Sequence, residues 1–403
     1  MHSPIYLFNP DYDMAMANFT PYYKSPAEIL RMAADLSVLP VWFAGEGGGV
    51  KVDCLERVSL FRRQLCEICP EGEGREILFR LLSSVGWTEQ WLSTRYIPWG
   101  WTPALVHRLR LEGVDEEFLP SAEEMQRIRY LSSRQRCLEI LPVFTGWEGI
   151  CGEMRACTEL SEVDTFIRER DQVILKAPWS GSGRGLWKVS AASWNVQLAG
   201  WASRILKVQG VLMAEPIYDK VADFAMEFLA DEKGEVRFVG YSYFETDVHG
   251  NYKANRLLSN TAIEKRLSCY VPLERLSCIK VCLEASLKKL LGQAYQGYLG
   301  VDMMVCRVEE EYRIHPCVEI NLRMNMGVLS RILYDRYVHP LSEGEYVVEH
   351  YVREGEAFSF HREMVARYPL AWKDGKVASG YLPLTPVRED TRFQAYVRVE
   401  MQS

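Results

Sequence analysis

The stretch Asp171–Ser190, DQVILKAPWSGSGRGLWKVS, is the part of the sequence that decides the fold. An apolar run, Val173–Leu175, leads into Lys176, a segment rich in glycine and serine follows at Ser180–Gly185, and a largely apolar run, Leu186–Val189, leaves it. Two such runs around glycines predict a strand, a flexible loop and a second strand. Because glycine lacks a Cβ atom, successive backbone N–H groups of the loop can turn toward one anion. The stretch therefore predicts a polyphosphate under a glycine loop, with an ordinary flexible hairpin as the alternative.

Lys176 lies inside the first apolar run, where an unpaired ammonium group is costly. It therefore needs an anionic partner. We expect a nucleotide phosphate, with no protein partner for the ammonium group before the nucleotide binds; a structural carboxylate is the alternative. The common P-loop is excluded, because that motif places its lysine after the glycines and continues into a helix.

The composition is that of a globular enzyme with two or three domains. The 403 residues are 48% hydrophobic and 25% charged, and no apolar run approaches the roughly 20 residues that cross a bilayer. The net charge of −7 argues against a nucleic-acid partner, since phosphate backbones attract basic surfaces. Eleven cysteines without framework spacing, and a start without the features of a signal peptide, predict free thiols in the cytoplasm and no membrane partner.

Residues 1–120 are predicted to form a first α/β domain. A short strand at Ile5–Phe8 ends in a polar turn, a helix starts after an N-cap at Ser25 and runs to about Leu36, and a second strand covers Val38–Phe43. Ligands of open α/β sheets lie beyond the C-terminal ends of the strands. The turn after the first strand therefore supplies candidate substrate contacts, a plain turn being the alternative: Asn9, Asp11 and Asp13.

Residues 121–240 are predicted to form a lobe around the glycine loop. A helix with a capping box begins at Ser121, and a second helix begins at Ser132–Arg134. The N–H groups at this second start, together with Arg134, can serve an anion. A solvated helix start with a surface arginine is the alternative. Farther along, a strand ends in the turn Glu215–Ile217, and alternating residues predict another strand from Asp223 onward.

Residues 241–340 are predicted to form a second lobe with two acidic strands. Asp302 interrupts one apolar strand, and Glu319, Asn321 and Arg323 share one face of the next because they are two residues apart. A hairpin turn around Glu310–Glu311 puts Asp302 opposite Glu319. Carboxylates whose Cβ atoms are about 5 Å apart repel, and a cation would resolve that repulsion. Two carboxylates and an amide oxygen suit Mg²⁺, with a solvated acidic face as the alternative.

Three further features complete the sequence-based prediction. Pro316 lies between the acidic residues and predicts a sheet edge or a bulge. The segment from Glu245 to Asn260 is a polar excursion whose Lys253 and Arg256 are further candidate substrate contacts. Residues 341–403 end in an alternating run that predicts a strand added to the body of the protein, and no role follows for this tail.

Taken in chain order, these motifs resemble the ATP-grasp superfamily, which includes biotin carboxylase and D-alanine–D-alanine ligase. The resemblance covers about residues 120–335 and is carried by Ser132–Arg134, Lys176, Ser180–Gly185, Glu215–Ile217, Asp302 and Glu319–Arg323. It implies an α/β (α+β) fold in which an ATP-grasp domain follows a Rossmann-like α/β pre-ATP-grasp domain. Residues 341–403 would be an extension packed on the body.

The resemblance also implies roles for the matching residues. The phosphates of ATP would be bound by Lys176, Arg134 and the loop residues Ser180, Gly181, Ser182 and Gly183, adenine by the backbone of Glu215 and Ile217, ribose by Asp223, and Mg²⁺, or Mn²⁺ in its place, by Asp302, Glu319 and Asn321. Arg323 would act with Lys176 in catalysis by steadying negative charge. The family usually has lysine where Arg134 stands; arginine keeps the charge and changes the geometry.

The reaction implied by the resemblance is ligation. A substrate carboxylate attacks the γ-phosphate of ATP to give an acylphosphate, and an amine or similar nucleophile then displaces phosphate. The protein contributes positioning and charge stabilisation. A kinase acting on a small-molecule hydroxyl and a nucleotide-binding module without turnover are the alternatives, and the resemblance is compatible with a homodimer.

Overall fold

The computed structural model describes residues 3–69, 71–90, 93–180, 185–246 and 252–402. Within these ranges the strands form one parallel sheet and two antiparallel ones, of four, four and nine strands. The sheets follow one another along the chain, and helices lie between their strands. The predicted α/β (α+β) fold class is confirmed, and the structure adds that the parallel sheet comes first and the antiparallel sheets follow it.

The first sheet is parallel throughout. Its strands are β1 (Ile5–Leu7), β2 (Gly49–Lys51), β3 (Gly86–Thr88) and β4 (Tyr96–Pro98), in the order β3-β2-β1-β4. The helices that accompany it are α1 (Tyr12–Asn18), α2 (Ala27–Asp35), α3 (Leu55–Ile68), α4 (Glu73–Ser83) and α5 (Pro103–Leu111). Parallel strands need crossover connections: α1 and α2 lie between β1 and β2, and α3 and α4 lie between β2 and β3.

Two details of the first domain differ from the prediction. The strand predicted at Val38–Phe43 is wrong, since Leu39–Trp42 forms a 3-10 helix in which every residue is buried. A run buried on all sides has no periodicity that separates strand from helix, and Pro40 cannot donate to a strand ladder. The N-cap of α2 is Pro26 and not Ser25, whose hydroxyl instead donates to Asp11 at 2.8 Å.

The second sheet carries the stretch quoted at the outset. After α6 (Ala122–Leu131) and α7 (Cys137–Ile140) come β5 (Arg155–Cys157), α8 (Leu160–Arg170), β6 (Gln172–Lys176), β7 (Leu186–Ser190), α9 (Val196–Gln209) and β8 (Leu212–Pro216). The sheet is antiparallel in the order β5-β8-β6-β7, and β6 pairs with β7 from Gln172–Ser190 to Lys176–Leu186. The two predicted strands are confirmed, and residues 181–184 of the predicted loop between them lie outside the described ranges.

The third sheet runs through the rest of the molecule in the order β13-β12-β9-β10-β11-β14-β17-β16-β15. Its strands are β9 (Asp219–Ala230), β10 (Val236–Thr246), β11 (Tyr252–Leu257), β12 (Gly297–Val308), β13 (Glu311–Asn321), β14 (Ser342–His350), β15 (Ala371–Lys373), β16 (Lys376–Pro383) and β17 (Phe393–Met401). The helices are α10 (Asn260–Leu267), α11 (Leu273–Leu291), α12 (Met326–Tyr337) and α13 (Glu356–Arg367). Among the described residues, no helix is both long and apolar enough to cross a bilayer.

The acidic hairpin of the third sheet follows the prediction closely. Asp302 pairs with Glu319, and the register shifts before the next pair, Met304 with His315. Pro316 therefore lies in a bulge, and β13 is an edge strand, as predicted. The turn residues are Glu309 and Glu310, so the hairpin turns one residue earlier than expected.

The polar excursion predicted between Glu245 and Asn260 is wrong for its second half. There β11 pairs with β10 on one side and with β14 on the other. Ala254, Asn255 and Leu257 are buried, so this strand crosses the interior. Its polar composition concealed it, because sequence patterns associate buried strands with apolar runs.

One hydrophobic core joins the first domain to the tail. Phe8, Val50 and Phe61 belong to the same buried cluster as Leu384 and Val397 of the tail. The strand predicted in the tail is confirmed as β17, which pairs with β14 and β16.

Candidate functional site

Three rows of side chains cross one face of the third sheet on β9, β12 and β13. Residues directly paired across antiparallel strands point to the same face, and residues two apart on one strand do too. The first row is Asp223, Met304 and His315; the second row is Ala225, Asp302 and Glu319; the third row is Glu227, Gly300 and Asn321. The predicted metal ligands thus occupy neighbouring positions in the second and third rows.

The second row holds two carboxylates side by side. Burial, followed by the neighbouring charge of Glu319, raises the pKa of Asp302 well above its usual range, while a hydrogen bond with Asn321 opposes the shift. Glu319 accepts a hydrogen bond from the Arg134 guanidinium at 2.8 Å. One carboxylate of the pair is therefore neutralised by a cation, and the other is not.

Arg134 ties the glycine-loop hairpin to the acidic strand. Arg134 is 4% exposed. Its guanidinium donates to the carbonyl oxygen of Ala177 at 2.7 Å, to the Ser180 hydroxyl at 2.6 Å and to the Ser180 carbonyl oxygen at 2.7 Å, besides Glu319. The alternative of a surface arginine is therefore wrong. A buried, fully engaged guanidinium keeps its charge and holds a fixed orientation.

Lys176 does have a protein partner. Its ammonium group donates to the Glu215 carboxylate at 2.7 Å, and both side chains are buried. The expectation that Lys176 stays unpaired without nucleotide is wrong, because β6 and β8 are neighbours and bring the two side chains together. Burial raises the pKa of Glu215, and the charge of Lys176 opposes that shift. The second carboxylate oxygen of Glu215 is buried without a hydrogen-bond partner in the described structure.

Arg323 is bound to the first domain. It donates to both oxygens of Asp13, at 3.1 and 2.8 Å, in the two-pronged geometry that arginine forms with carboxylates. Asp13 therefore reaches the site. Asn9 and Asp11 do not, since Asn9 donates to the Gly100 carbonyl oxygen at 2.8 Å and Asp11 accepts from Ser25.

The other predicted contacts lie at the margins. The backbone N–H of Ile217 donates to the carbonyl oxygen of Gln172 at 3.1 Å. Asp223 accepts from the Thr246 hydroxyl at 2.9 Å and also pairs with Lys220. Their nucleotide contacts stay predictions.

The predicted substrate lysine and arginine do not join the three rows. Lys253 is exposed and lies 4.0 Å from Glu245. Phe244 pairs with Asp223 and so points to the face of the three rows. Its neighbour Tyr243 points to the opposite face. Arg256 pairs with Tyr243 and therefore faces away from the rows. Gly181, Ser182 and Gly183 lie outside the described residues.

A small cavity lies where the first domain, the glycine-loop hairpin and the acidic strand meet. It has a volume of about 10 Å³, enough for one water molecule. Its lining includes Asp13, Ser180, Glu319, Asn321 and Arg323. Five residues that were singled out from distant parts of the sequence therefore surround one point, and a nucleotide would need this junction to open.

Sequence reasoning missed Glu227, the carboxylate of the third row. It is 1% exposed, and its oxygens accept from the Ser242 hydroxyl at 2.7 Å and the Asn325 amide at 3.2 Å. Burial raises the pKa of Glu227 to about 7. The signal was an acid in phase with Asp223 along an apolar strand, together with glycines at Gly300 and near the start of α12.

His315, at the other end of the face, was missed as well. It is fully buried, and in the described structure neither ring nitrogen has a hydrogen-bond partner. Burial, followed by the charge of Lys176, lowers the pKa of His315 to about 3. The ring is therefore neutral at physiological pH.

The donor set fits a hard cation better than a soft one. Within the described residues, no three His, Cys, Asp or Glu side chains are grouped to hold a metal. The predicted ligands in the second and third rows are the carboxylates of Asp302 and Glu319 and the amide of Asn321, which all offer oxygen. Mg²⁺ accepts few protein oxygens and keeps water and phosphate for the rest, so the residues present fit it.

No protein-family model and no curated protein matches the chain. Similar solved structures include biotin carboxylase from Campylobacter jejuni, at 13% identity and TM-score 0.48 over 77% of this chain and 71% of that one. A second similar structure is the biotin carboxylase domain of Hydrogenobacter thermophilus 2-oxoglutarate carboxylase, in complex with MgADP, ADP and bicarbonate. Its sequence identity is 13% and its TM-score is 0.49, over 82% of this chain and 73% of that one. A third is N5-carboxyaminoimidazole synthetase from Staphylococcus aureus with ADP, whose sequence identity is 12% and whose TM-score is 0.48, over 100% of this chain and 93% of that one.

At these identities, and with TM-scores below 0.5, the likeness supports no conclusion about this chain. What this chain does must be argued from its own residues.

Proposed function

We propose that the protein is a Mg²⁺- and ATP-dependent ligase that activates a substrate carboxylate as an acylphosphate and joins it to an amine. The observation that carries the proposal is a set of three neighbouring ion pairs, two of which contribute side chains to the cavity wall. Each cation expected to serve phosphate is paired with a carboxylate: Arg134 with Glu319, Lys176 with Glu215 and Arg323 with Asp13.

This pairing suits a site that exchanges charges with its ligand. A nucleotide phosphate can replace a carboxylate as the partner of each cation, and a divalent cation can replace Arg134 as the partner of Glu319. A solvated acidic face would need no such compensation. Buried ion pairs are often no more stable than apolar packing, so three of them in one place favour a binding role over a stabilising one.

In this proposal Asp302, Glu319 and Asn321 would hold Mg²⁺, which neutralises the charge that develops on the phosphates. Lys176 and Arg134 would orient the phosphates. Arg323 would steady the negative charge of the transferring group once Asp13 releases it. The protein would work in the cytoplasm on small molecules, a carboxylate and an amine, and we propose a homodimer as its assembly.

Product chemistry tests the ligase reaction against a kinase. A panel of small carboxylates is incubated with ATP, Mg²⁺ and hydroxylamine, and hydroxamate, ADP and phosphate are measured. An acylphosphate is trapped as a hydroxamate together with release of ADP, whereas a kinase yields a phosphate ester and no hydroxamate. Turnover in neither form would leave the nucleotide-binding module as the better description.

Glu319→Gln tests the metal assignment within the same assay. Removing one anionic oxygen from the donor set should lower Mg-ATP turnover at least about tenfold while the fold is kept. Glu311→Gln is the matched control, because Glu311 lies on the same strand but is exposed, and its turnover should equal that of the wild type. Turnover of Glu319→Gln within a few-fold of the wild type would refute the assignment.

A further inference from the structure

Glu227 is a buried carboxylate surrounded by hydrogen-bond donors. The Asn325 side chain caps α12, where its oxygen accepts the Val328 N–H at 2.9 Å, so its amide nitrogen must be the atom that faces Glu227. The Ser242 hydroxyl lies at 2.7 Å from the other oxygen. Two donors suit the charged form of the carboxyl group, and neither supplies a positive charge.

No cation neutralises Glu227 within the part of the chain that the structure describes. Its polar contacts there are Ser242 and Asn325, both neutral. Arg323 acts on it only from a distance and is held by Asp13. Burying a carboxylate without a cation is costly, so the side chain either keeps a proton or awaits a cationic ligand.

Two glycines make room for the Glu227 carboxylate itself. A Cβ atom at Gly300 would lie 2.4 Å from one Glu227 oxygen, and a Cβ atom at Gly327 would lie 2.1 Å from the other. Glycine within a strand or helix is less stable than alanine there, because it loses more conformational freedom on folding. The fold therefore gives up stability at two positions to accommodate Glu227.

The position of Glu227 indicates which ligand it would meet. Its row lies two residues beyond the second row, roughly 7 Å along the strands and away from Asp223 and His315. If the phosphates of ATP bind at the second row, as proposed, the group that attacks the activated carboxylate approaches from the side of the third row. An amine is protonated in water and carries the charge that Glu227 lacks.

We propose that Glu227 is the subsite for the ammonium group of the amine substrate, with Ser242 and Asn325 holding the carboxylate toward it. The inference rests on the proposed ligase function for the identity of the ligand. Because Glu227 is 1% exposed, the ligand would reach it only when the surrounding side chains move apart.

The test uses methylammonium chloride as the probe and involves no ATP, so its outcome is separate from that of the ligase assay. Thermal unfolding of the full chain is followed with increasing methylammonium chloride, and with tetramethylammonium chloride at equal ionic strength as the control that cannot donate. We expect methylammonium to raise the midpoint of the wild type by about two degrees and tetramethylammonium to leave it unchanged. In Glu227→Gln the response to methylammonium should disappear.

Glu227→Asp covers the case in which the glutamine variant does not fold. It keeps the charge but shortens the side chain, so it should need more methylammonium for the same shift. A wild type that does not respond to methylammonium, or an unchanged dose response in either variant, overturns the proposal.

Discussion

Lys176 and Glu215 are 39 residues apart in sequence and 2.7 Å apart in space. A lysine inside an apolar strand predicts that some anion lies nearby, and it does not say which. The structure supplies a carboxylate from the neighbouring strand β8. At the scale of single residues, the structure shows what the ammonium group binds without nucleotide, and its contact with phosphate stays part of the proposed function.

The ion pair predicts the stability of Lys176→Met. Methionine keeps most of the side-chain volume and removes the charge, which leaves Glu215 buried without a partner. Losing one member of a buried pair typically costs about 3–5 kcal/mol, so the free energy of unfolding measured with urea should fall by that order.

The double variant Lys176→Met/Glu215→Leu is the control for this prediction. With neither charge left, much of the lost stability should return, because an apolar pair can replace a buried ion pair. A Lys176→Met protein as stable as the wild type would contradict the ion pair. The original expectation, an ammonium group that waits unpaired for phosphate, would then be restored.

Single-residue contacts were only partly predictable from the sequence. The pairing of Asp302 with Glu319 was predictable, because side chains alternate along both strands with a period of two and a short turn joins the strands. The partners of Lys176, Arg134 and Arg323 were not predictable, since each partner lies on an element that is distant in the sequence. Glu227 was passed over because one acid in an apolar strand is not distinguished from a solvated one until its neighbours are known.

At the scale of elements, the start of α12 packs against Glu227. Its N-cap Asn325 donates to the carboxylate, and Gly327 in its first turn lies against the same group. The loop that carries Arg323 leads directly into this helix. Packing of the first turn of α12 against β9 therefore helps to orient the arginine.

Two glycine-to-alanine changes in helices should have opposite signs. Gly327→Ala places a Cβ atom 2.1 Å from Glu227 and should lower the free energy of unfolding by about 1–3 kcal/mol, the usual cost of overpacking. Gly200→Ala in α9 is the matched control, since no atom lies within 4 Å of the added Cβ, and it should raise stability by about 0.5–1 kcal/mol. Urea unfolding of both variants decides. A stabilising Gly327→Ala would mean that the Glu227 carboxylate moves aside freely.

Some elements could be predicted from the sequence and others could not. The strands β6 and β7 were predicted because glycines and apolar runs agree there. The 3-10 helix at Leu39–Trp42 was not, because all four residues are buried and no face remains polar. Nor was β11, whose Asn255 is buried in a central strand where apolar residues are usual.

At the scale of the whole molecule, the two ends of the chain form one core. The sequence suggested a separate first domain in residues 1–120 and an added tail in 341–403, and that four-part division stays a prediction. Phe8 and Val397 nevertheless belong to one buried cluster, and the Trp42 indole donates to the Leu384 carbonyl oxygen at 2.7 Å. The glycine-loop lobe has its own cluster, which includes Phe166 and Leu175. We therefore expect the ends to unfold together and this lobe separately.

Asp35 tests this expectation because it joins the ends directly. Its carboxylate is fully buried and accepts from the backbone N–H groups of Arg392 and Phe393, at 2.8 and 3.1 Å, as well as from Arg31 and Arg57. Asp35→Asn removes the negative charge between two arginines and should cost about 3 kcal/mol. Hydrogen exchange should then accelerate together in β1, β2 and β17 and stay unchanged in β6 and β7.

Glu71→Gln is the control. It alters an ion pair of 3.8 Å whose carboxylate is 96% exposed, and it should leave hydrogen exchange in all five strands as in the wild type. Faster exchange in β1 and β2 with β17 still protected would show that the tail folds independently of the first domain.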